Sequence, residues 1–356
     1  MNVQVTNKTQ ETINLVSASH ASGVTHWQMQ APKTIAPGGS ATVSDYGSGD
    51  NSIDLKYQGA TSGSIFTFHA SDPLIGSNSI SGSSTSASYQ VTGSNSTGHN
   101  DYSVFSVVAG HQFSFTGGAQ SYTVPAGVTE MNVDVVAGSG GSTFADGLVS
   151  GAEITGILHV TPGEVLSIGV GGAGSRGYES TAGGWGLPYN GSSFSGGNGF
   201  NADEGNQGGG GGGASVILDK SLNPSQQVLV VAGGAGGNTT GKSGGGALAY
   251  TGGRGGYNGS LTGEDGHGSE PGVGTGGKAG SMDGTQGQDS PTVGTVPGAG
   301  GGGYKGGASG LVGYAGGGGA GSSYDADLTR PTVKTAGSGG QVYERNGSIT
   351  LTAVTS

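Results

Sequence analysis

The sequence predicts an all-β protein built from two units. Short runs in which apolar and polar residues alternate recur along the chain, and turn-forming residues separate them, which is typical of strands. Glycine is distributed unevenly: of 83 glycines, 12 lie in residues 1–110 and 71 in residues 111–356. We therefore predict an N-terminal unit over 1–110 and a glycine-rich C-terminal unit over 111–356.

The first unit contains seven strand-like runs. The alternation is clearest in the pairs Val3 and Val5, Ile13 and Leu15, Ile53 and Leu55, Phe66 and Phe68, and Tyr89 and Val91. Gly, Pro, Asn, Asp and Ser separate the runs at intervals of about 8 to 15 residues. This spacing favours an antiparallel β-sandwich.

Four motifs follow one another in this unit: Asn7 in the first strand, Trp27 before a proline segment, the turn 35–38, and the segment 73–78. In this order, residues 1–105 resemble the aegerolysin-like insecticidal crystal proteins of insect-pathogenic bacilli. The segment "GSGDN" is shorter than the glycine-aromatic stretch of that family. A function that depends on this loop therefore does not carry over.

The second unit has strands set between glycine tracts. The motifs "YTVPAGV", "TPGEVLSIGVGGAG", "GGGGAGSSY" and the final "GSITL" lie in this order within residues 113–354. They resemble the glycine-rich domain of phage tail adhesins and of anaplastic lymphoma kinase-type receptors. The resemblance implies a β-sandwich framework that carries a bundle of polyglycine II-type helices.

Elementary physics supports an ordered glycine bundle. A left-handed three-residue helix has no internal hydrogen bonds, so its amides and carbonyls bond to neighbouring chains, and only glycine lets those chains approach closely. Lateral hydrogen bonds must offset the large entropy cost of ordering glycine. The alternatives are flexible linkers, or ordered tracts with a disordered patch at 263–291. Aromatic residues within the tracts argue against linkers.

Composition limits the possible partners. Leu, Ile, Val and Phe make up about 18% of the chain, below the ~20% typical of packed domains, but the net charge of -11 is too weak to impose disorder. The same charge argues against nucleic acid and anionic membranes. The N-terminus lacks the pattern of a signal peptide. We expect synthesis in the bacterial cytoplasm, storage as crystalline inclusions and extracellular action after release.

Two nucleotide-binding patterns are attributed to chance. "GGNTTGKS" fits a P-loop from Gly236 to Lys242 and Ser243, and Ser243 also fits Gly-x-Ser-x-Gly, but three glycines follow where a helix must begin. "GVGGAG", 169–174, resembles a dinucleotide fingerprint without the following helix or acidic residue. We therefore expect no nucleotide and no other cofactor.

No catalytic or metal-binding set is predicted. The seven histidines show none of the spacings of a metal site. Carboxylates crowd residues 264–289, where loop oxygens could suit calcium, but no calcium-binding repeat is present. We therefore expect neither a metal nor an enzyme.

Binding by exposed aromatic side chains is the remaining chemistry. The segment "GGWGLPYNGSSF" supplies Trp185, Tyr189, Asn190 and Phe194, which offer flat surfaces and hydrogen-bonding groups to a sugar or a protein. The first unit offers Trp27, Tyr46 and Tyr57. For each aromatic residue, packing in the core is the alternative.

Two functions follow from these observations. The first is a non-enzymatic insecticidal or cytolytic toxin that recognises a target-cell lipid, glycan or receptor and self-associates into oligomers or crystals. The second is a phage-tail or surface adhesin whose glycine-rich unit binds a host polysaccharide or protein. A nucleotide-using enzyme is the third and weakest alternative.

Overall fold

The computed structural model describes most of the chain. The described residues are 1–21, 26–47, 49–96, 102–142, 149–176, 182–199, 201–203, 206–220, 226–243, 246–250, 253–255, 260–267, 284, 296–310, 316–336 and 345–354. Most of the segment 263–291, for which a disordered patch was considered, lies outside them.

Every regular element in these ranges is a strand, which confirms the all-β class. The strands are β1 (Asn2–Lys8), β2 (Ile13–His20), β3 (His26–Met29), β4 (Thr34–Ile35), β5 (Ser40–Tyr46), β6 (Asn51–Gly59), β7 (Ile65–Asp72), β8 (Ser79–Ser84), β9 (Tyr89–Asn95), β10 (Tyr102–Ser114), β11 (Gln120–Thr123), β12 (Glu130–Val136), β13 (Ala152–His159), β14 (Val165–Gly169), β15 (Pro188–Tyr189), β16 (Ser192–Ser193), β17 (Asn201–Asp203), β18 (Asn206–Gly208), β19 (Ser215–Asp219), β20 (Gln227–Ala232), β21 (Thr239–Ser243), β22 (Gly246–Tyr250), β23 (Leu328–Thr335) and β24 (Ser348–Ala353).

The N-terminal unit has two facing layers. One layer is formed by β9, β10, β1, β5 and β3, and the other is a five-stranded sheet in the order β4-β2-β6-β7-β8. Alternate residues of each layer are buried, for example Val3 and Val5 in β1 and Phe66 and Phe68 in β7. These side chains belong to one hydrophobic cluster between the layers, so the unit is sandwich-like.

The C-terminal unit has a similar pair of layers. Strands β24, β12, β13 and β23 face a four-stranded sheet in the order β11-β14-β19-β20. Met131, Val133 and Ile349 from the first layer share a core with Leu166 and Ile168 from the second. Strands β19 and β20 are buried on both faces, because a second cluster lies on the far side of their sheet. This explains their nearly continuous apolar sequences.

Strand β10 joins the two units. Its residues 102–109 pair with β1 and β9, and its residues 110–114 pair with β24, so the nine-stranded sheet runs through both units. The change of partner occurs at Gly110, where φ is +152° and a Cβ atom would overlap the backbone of Leu351 and Thr352. A single hydrophobic cluster also spans both units. The division predicted at residue 110 therefore falls inside a continuous strand.

A buried polar network closes the N-terminal unit on the side that faces the C-terminal unit. The Glu11 carboxylate accepts hydrogen bonds from the amides of Thr61 and Ser62, from Ser62 Oγ and from Tyr89 Oη, at 2.6–2.9 Å. Burial alone would raise the pKa of Glu11, but these bonds outweigh it and hold the pKa below its usual value.

The glycine tracts are bonded to one another with a period of three residues. In the buried tract 208–213, the amides of Gly209 and Gly212 donate to carbonyls of the segment 235–238. The amides of Gly210 and Gly213 donate to carbonyls of the segment 172–175, and that of Gly211 to the carbonyl of Gly197, all at 2.8–3.0 Å. Amides three residues apart therefore bond to the same neighbouring segment. The carbonyls of the tract accept from residues 138–141, Gly184 and residues 299–302.

These tracts approach too closely for a side chain. A Cβ atom on Gly211 would overlap the carbonyl oxygen of Gly300, and one on Gly236 would overlap that of Gly318. The neighbouring backbone therefore occupies the space that a side chain would need, and it cannot move away without breaking its own hydrogen bonds.

We expect Gly211→Ala to lower the free energy of unfolding by about 3 kcal/mol, because the methyl group would overpack a buried backbone contact. The matched control is Gly118→Ala, where a Cβ atom meets nothing within 4 Å and where the change should stay within about 0.5 kcal/mol. Denaturant unfolding followed by circular dichroism measures both. Equal effects of the two substitutions would contradict the close packing.

Candidate functional site

The segment that carries Trp185 forms a small hairpin over the second cluster. Strands β15 and β16 pair through Tyr189 and Ser192. The turn residues Asn190 and Gly191 have φ values of 48° and 79°, as in the two-residue turns that fit the twist of a hairpin. The Asn-Gly sequence thus explains why this segment folds back on itself.

The four candidate residues of this hairpin differ in exposure. Phe194 is buried in the second cluster, and Trp185 and Tyr189 are half-buried at its border. Tyr189 Oη donates a hydrogen bond to the carbonyl of Gln226 at 2.8 Å, and Asn190 is exposed at the turn. A ligand outside the protein can therefore reach Asn190 and the outer surfaces of Trp185 and Tyr189.

The three candidate residues of the N-terminal unit also differ in exposure. Tyr57 is fully buried, its Oη donates to the carbonyl of Pro32 at 3.0 Å, and burial raises its pKa to about 12. Trp27 is half-buried, with its ring edge-to-face to His20 at 4.6 Å. Tyr46 is 61% exposed. The seven residues thus lie on two separate surfaces and in the core, rather than in one site.

The structure places several exposed side chains at the same end of the N-terminal unit. Tyr46 ends β5, and the loop after it carries Asp50, whose Oδ1 accepts a hydrogen bond from the amide of Leu74 at 2.8 Å. Ile75, next to Leu74, is 93% exposed. Tyr102 begins β10 and pairs with Asn2, which also pairs with Ser44 in β5.

These residues share the end of the N-terminal unit that points away from the C-terminal unit, because β10 runs from this end towards β24. We call Tyr46, Leu74, Ile75 and Tyr102 the distal tip. All four are exposed large apolar or aromatic side chains. Of these, only Tyr46 was predicted from the sequence as a binding residue, although Leu74 and Ile75 lie in the motif 73–78. The available signal was "PLIG", in which two aliphatic residues lie between turn-forming residues.

The two nucleotide-like patterns have no phosphate-binding geometry. Residues 239–243 form β21, which pairs with β22 over 246–250, so a strand stands where a P-loop requires a helix. The amides of Gly236 and Gly237 donate to Gly253 and Ala299. In "GVGGAG", the amides of Gly171, Gly172 and Gly174 donate to Ser215 Oγ, Trp185 and Ser139.

In the described ranges, no three His, Cys, Asp or Glu side chains are close enough together to hold a metal ion. In the same ranges, no helix has the length and apolar character needed to cross a membrane.

No protein-family model matches the chain, and no curated protein matches it either. The two resemblances drawn from sequence motifs therefore remain predictions. The distal tip and the hairpin 188–193 are the exposed surfaces on which a function can be based.

The difference in burial between Tyr57 and Tyr46 predicts different effects on stability. We expect Tyr57→Ala to lower the free energy of unfolding by about 3–5 kcal/mol, because it empties a buried aromatic site. Tyr46→Ala should change it by less than about 0.5 kcal/mol. Chemical denaturation of both variants tests this, and a large loss of stability for Tyr46→Ala would show that the distal tip is part of the core.

Proposed function

We propose that this chain is a non-enzymatic toxin of the insecticidal or cytolytic type, which contacts the membrane of a target cell through its distal tip. The observation that carries the proposal is that Leu74 and Ile75, 55% and 93% exposed, lie at the same end of the N-terminal unit as the exposed Tyr46 and Tyr102. Grouped apolar side chains on a surface mark an interaction site more often than scattered ones do.

The chemistry of the distal tip suits a membrane interface. Burial of one aliphatic side chain contributes about 1.5–3 kcal/mol, and tyrosine prefers the boundary between apolar and polar surroundings. Two aliphatic and two tyrosine side chains would therefore give reversible binding. The net charge of -11 directs this binding to membranes with zwitterionic headgroups, because anionic lipids would repel the protein.

The glycine-rich unit serves as a rigid body in this proposal. We propose that its tracts are polyglycine II-type helices, carried by a β-sandwich framework. The support is the period of three in the hydrogen bonds of the tract 208–213, and the lack of room for a Cβ atom at glycines such as Gly211 and Gly236. Such a bundle offers few flexible segments to proteases, which suits a protein that acts outside the cell.

The alternative is a phage-tail or surface adhesin that binds a host polysaccharide or protein through the glycine-rich unit. Its specific support is the hairpin 188–193, which presents Asn190 beside the half-buried rings of Trp185 and Tyr189. Leakage from vesicles supports the toxin, whereas binding to glycans without leakage supports the adhesin. Truncation is a poor test, because the two units share β10 and one core.

The double substitution Leu74→Ser and Ile75→Ser should weaken binding to phosphatidylcholine vesicles by about 10-fold or more, because it removes the apolar contact. Co-sedimentation with vesicles measures binding, and release of an enclosed dye measures permeabilisation. Vesicles rich in phosphatidylserine should bind the wild-type protein less well.

The matched control is Val16→Ser, which changes an aliphatic residue that is 50% exposed in β2, outside the distal tip. It should leave vesicle binding unchanged. The proposal fails if the wild-type protein does not bind the vesicles, or if the double substitution binds as well as the wild type.

A further inference from the structure

An open cavity of about 390 Å³, lined by both polar and apolar groups, lies on the outer face of the C-terminal framework. It is formed where β12, β13, β23 and β24 lie side by side. Its polar lining consists of Asn132, Asp134, Thr155, Arg330, Thr350 and Thr352. Asp134 and Thr350 alternate along their strands with buried core residues, so they point away from the core. The volume is within the range of ~300–1,000 Å³ typical of small-molecule sites.

The first notable feature of this cavity is Asp134. Asp134 lies between Thr155 and Thr350, its cross-strand neighbours. Its Oδ1 atom is buried and has no hydrogen-bond partner in the protein. Burial raises the pKa of this carboxyl group, and the negative charge of Glu153 raises it further, whereas the positive charge of Lys334 lowers it. A buried carboxylate oxygen without a partner is stabilised by any donor that enters the cavity.

The second feature is Arg330, which has a φ of 53° although it is not glycine. The pairing of β13 with β23 shifts its register between Thr155 and Ile157, so Arg330 lies in a bulge opposite Gly156. A bulge redirects a side chain, and strained backbone is concentrated at functional positions. Arg330 is exposed at the border of the cavity.

The remaining lining groups decide the kind of ligand. Threonine and asparagine both donate and accept hydrogen bonds, Asp134 accepts and Arg330 donates. A polyol matches this set, because each of its hydroxyl groups can also donate and accept. The half-buried Ile157 offers an apolar surface for the C–H groups of a sugar ring. Asp134 and Arg330 are the charged residues of the lining. Lys334 lies outside the lining, where it pairs with Glu153 at 2.8 Å.

We propose that this cavity binds carbohydrate, with Asp134 accepting and Arg330 donating hydrogen bonds to sugar hydroxyl groups. The site lies on the C-terminal framework, apart from both the distal tip and the hairpin 188–193. It does not depend on the proposed membrane contact. It gives the molecule a second point of attachment, to a cell-surface glycan, and two linked attachments bind more tightly than either one alone.

A printed glycan array probed with the labelled full chain is the first experiment, followed by calorimetry with the best-binding oligosaccharide. Arg330→Gly should weaken binding by about 10-fold, because a charged donor is lost. The same change should keep or raise the melting temperature, because glycine accepts the positive φ without strain. A purely structural role for Arg330 would not combine weaker binding with equal or higher stability.

Asp134→Ala should also weaken binding by about 10-fold or more. Glu130→Gln is the matched control, since Glu130 is an exposed carboxylate on the same strand outside the cavity lining, and it should bind like the wild type. Absence of any glycan signal for the wild type, or unchanged binding in both cavity variants, overturns the proposal. Vesicle binding of Arg330→Gly should stay normal, which separates this result from that of the distal tip.

Discussion

The hydrogen bond between neighbouring glycine backbones is the interaction on which the C-terminal unit depends. A glycine amide in the tract 208–213 donates to an adjacent chain, and the space that a side chain would take is filled by a third chain. Each bond contributes only about 1 kcal/mol net, while glycine is the costliest residue to order. The hydrogen bonds therefore stabilise the tracts only in combination, and only because the strands of the framework hold the tracts together. This explains the low content of large apolar residues, since large side chains are needed only in the framework and in the second cluster, next to β19 and β20.

This arrangement also bears on where the proposed binding surfaces lie. In the described tract 208–213, every residue is a glycine and the amides of 209–213 bond to adjacent segments, so this part of the molecule offers no side chain to a ligand. The distal tip lies at one end of the N-terminal sandwich, the hairpin 188–193 covers the second cluster, and the open cavity occupies the outer face of β12, β13, β23 and β24. In the functions proposed above, the continuous sheet through both units connects the proposed membrane-contacting end to the proposed glycan-binding face.

The sequence predicted the strands where alternation was strong, but not the features that arise from tertiary contacts. The runs that form β1, β6, β7 and β24 are found as predicted. The strand β23 was not predicted from the sequence. It contains Pro331, and it lies at the edge of the sheet, where proline is tolerated, beside the bulge at Arg330. Tyr57 was considered as a binding residue, although its alternation with Ile53 and Leu55 already placed it on the inward face. The cavity around Asp134 could not be foreseen, because two pairs of strands that are far apart in sequence build it.

Hydrogen exchange at the glycine amides tests the central claim most directly. Mass spectrometry or NMR can compare the amides of residues 209–213 with those of the core strands β12 and β24. If the lateral bonds hold the tract in place, these glycine amides exchange as slowly as the core strands do, because both open only when the unit unfolds. Exchange at the rate of an unstructured peptide, while β12 and β24 stay protected, would contradict the account.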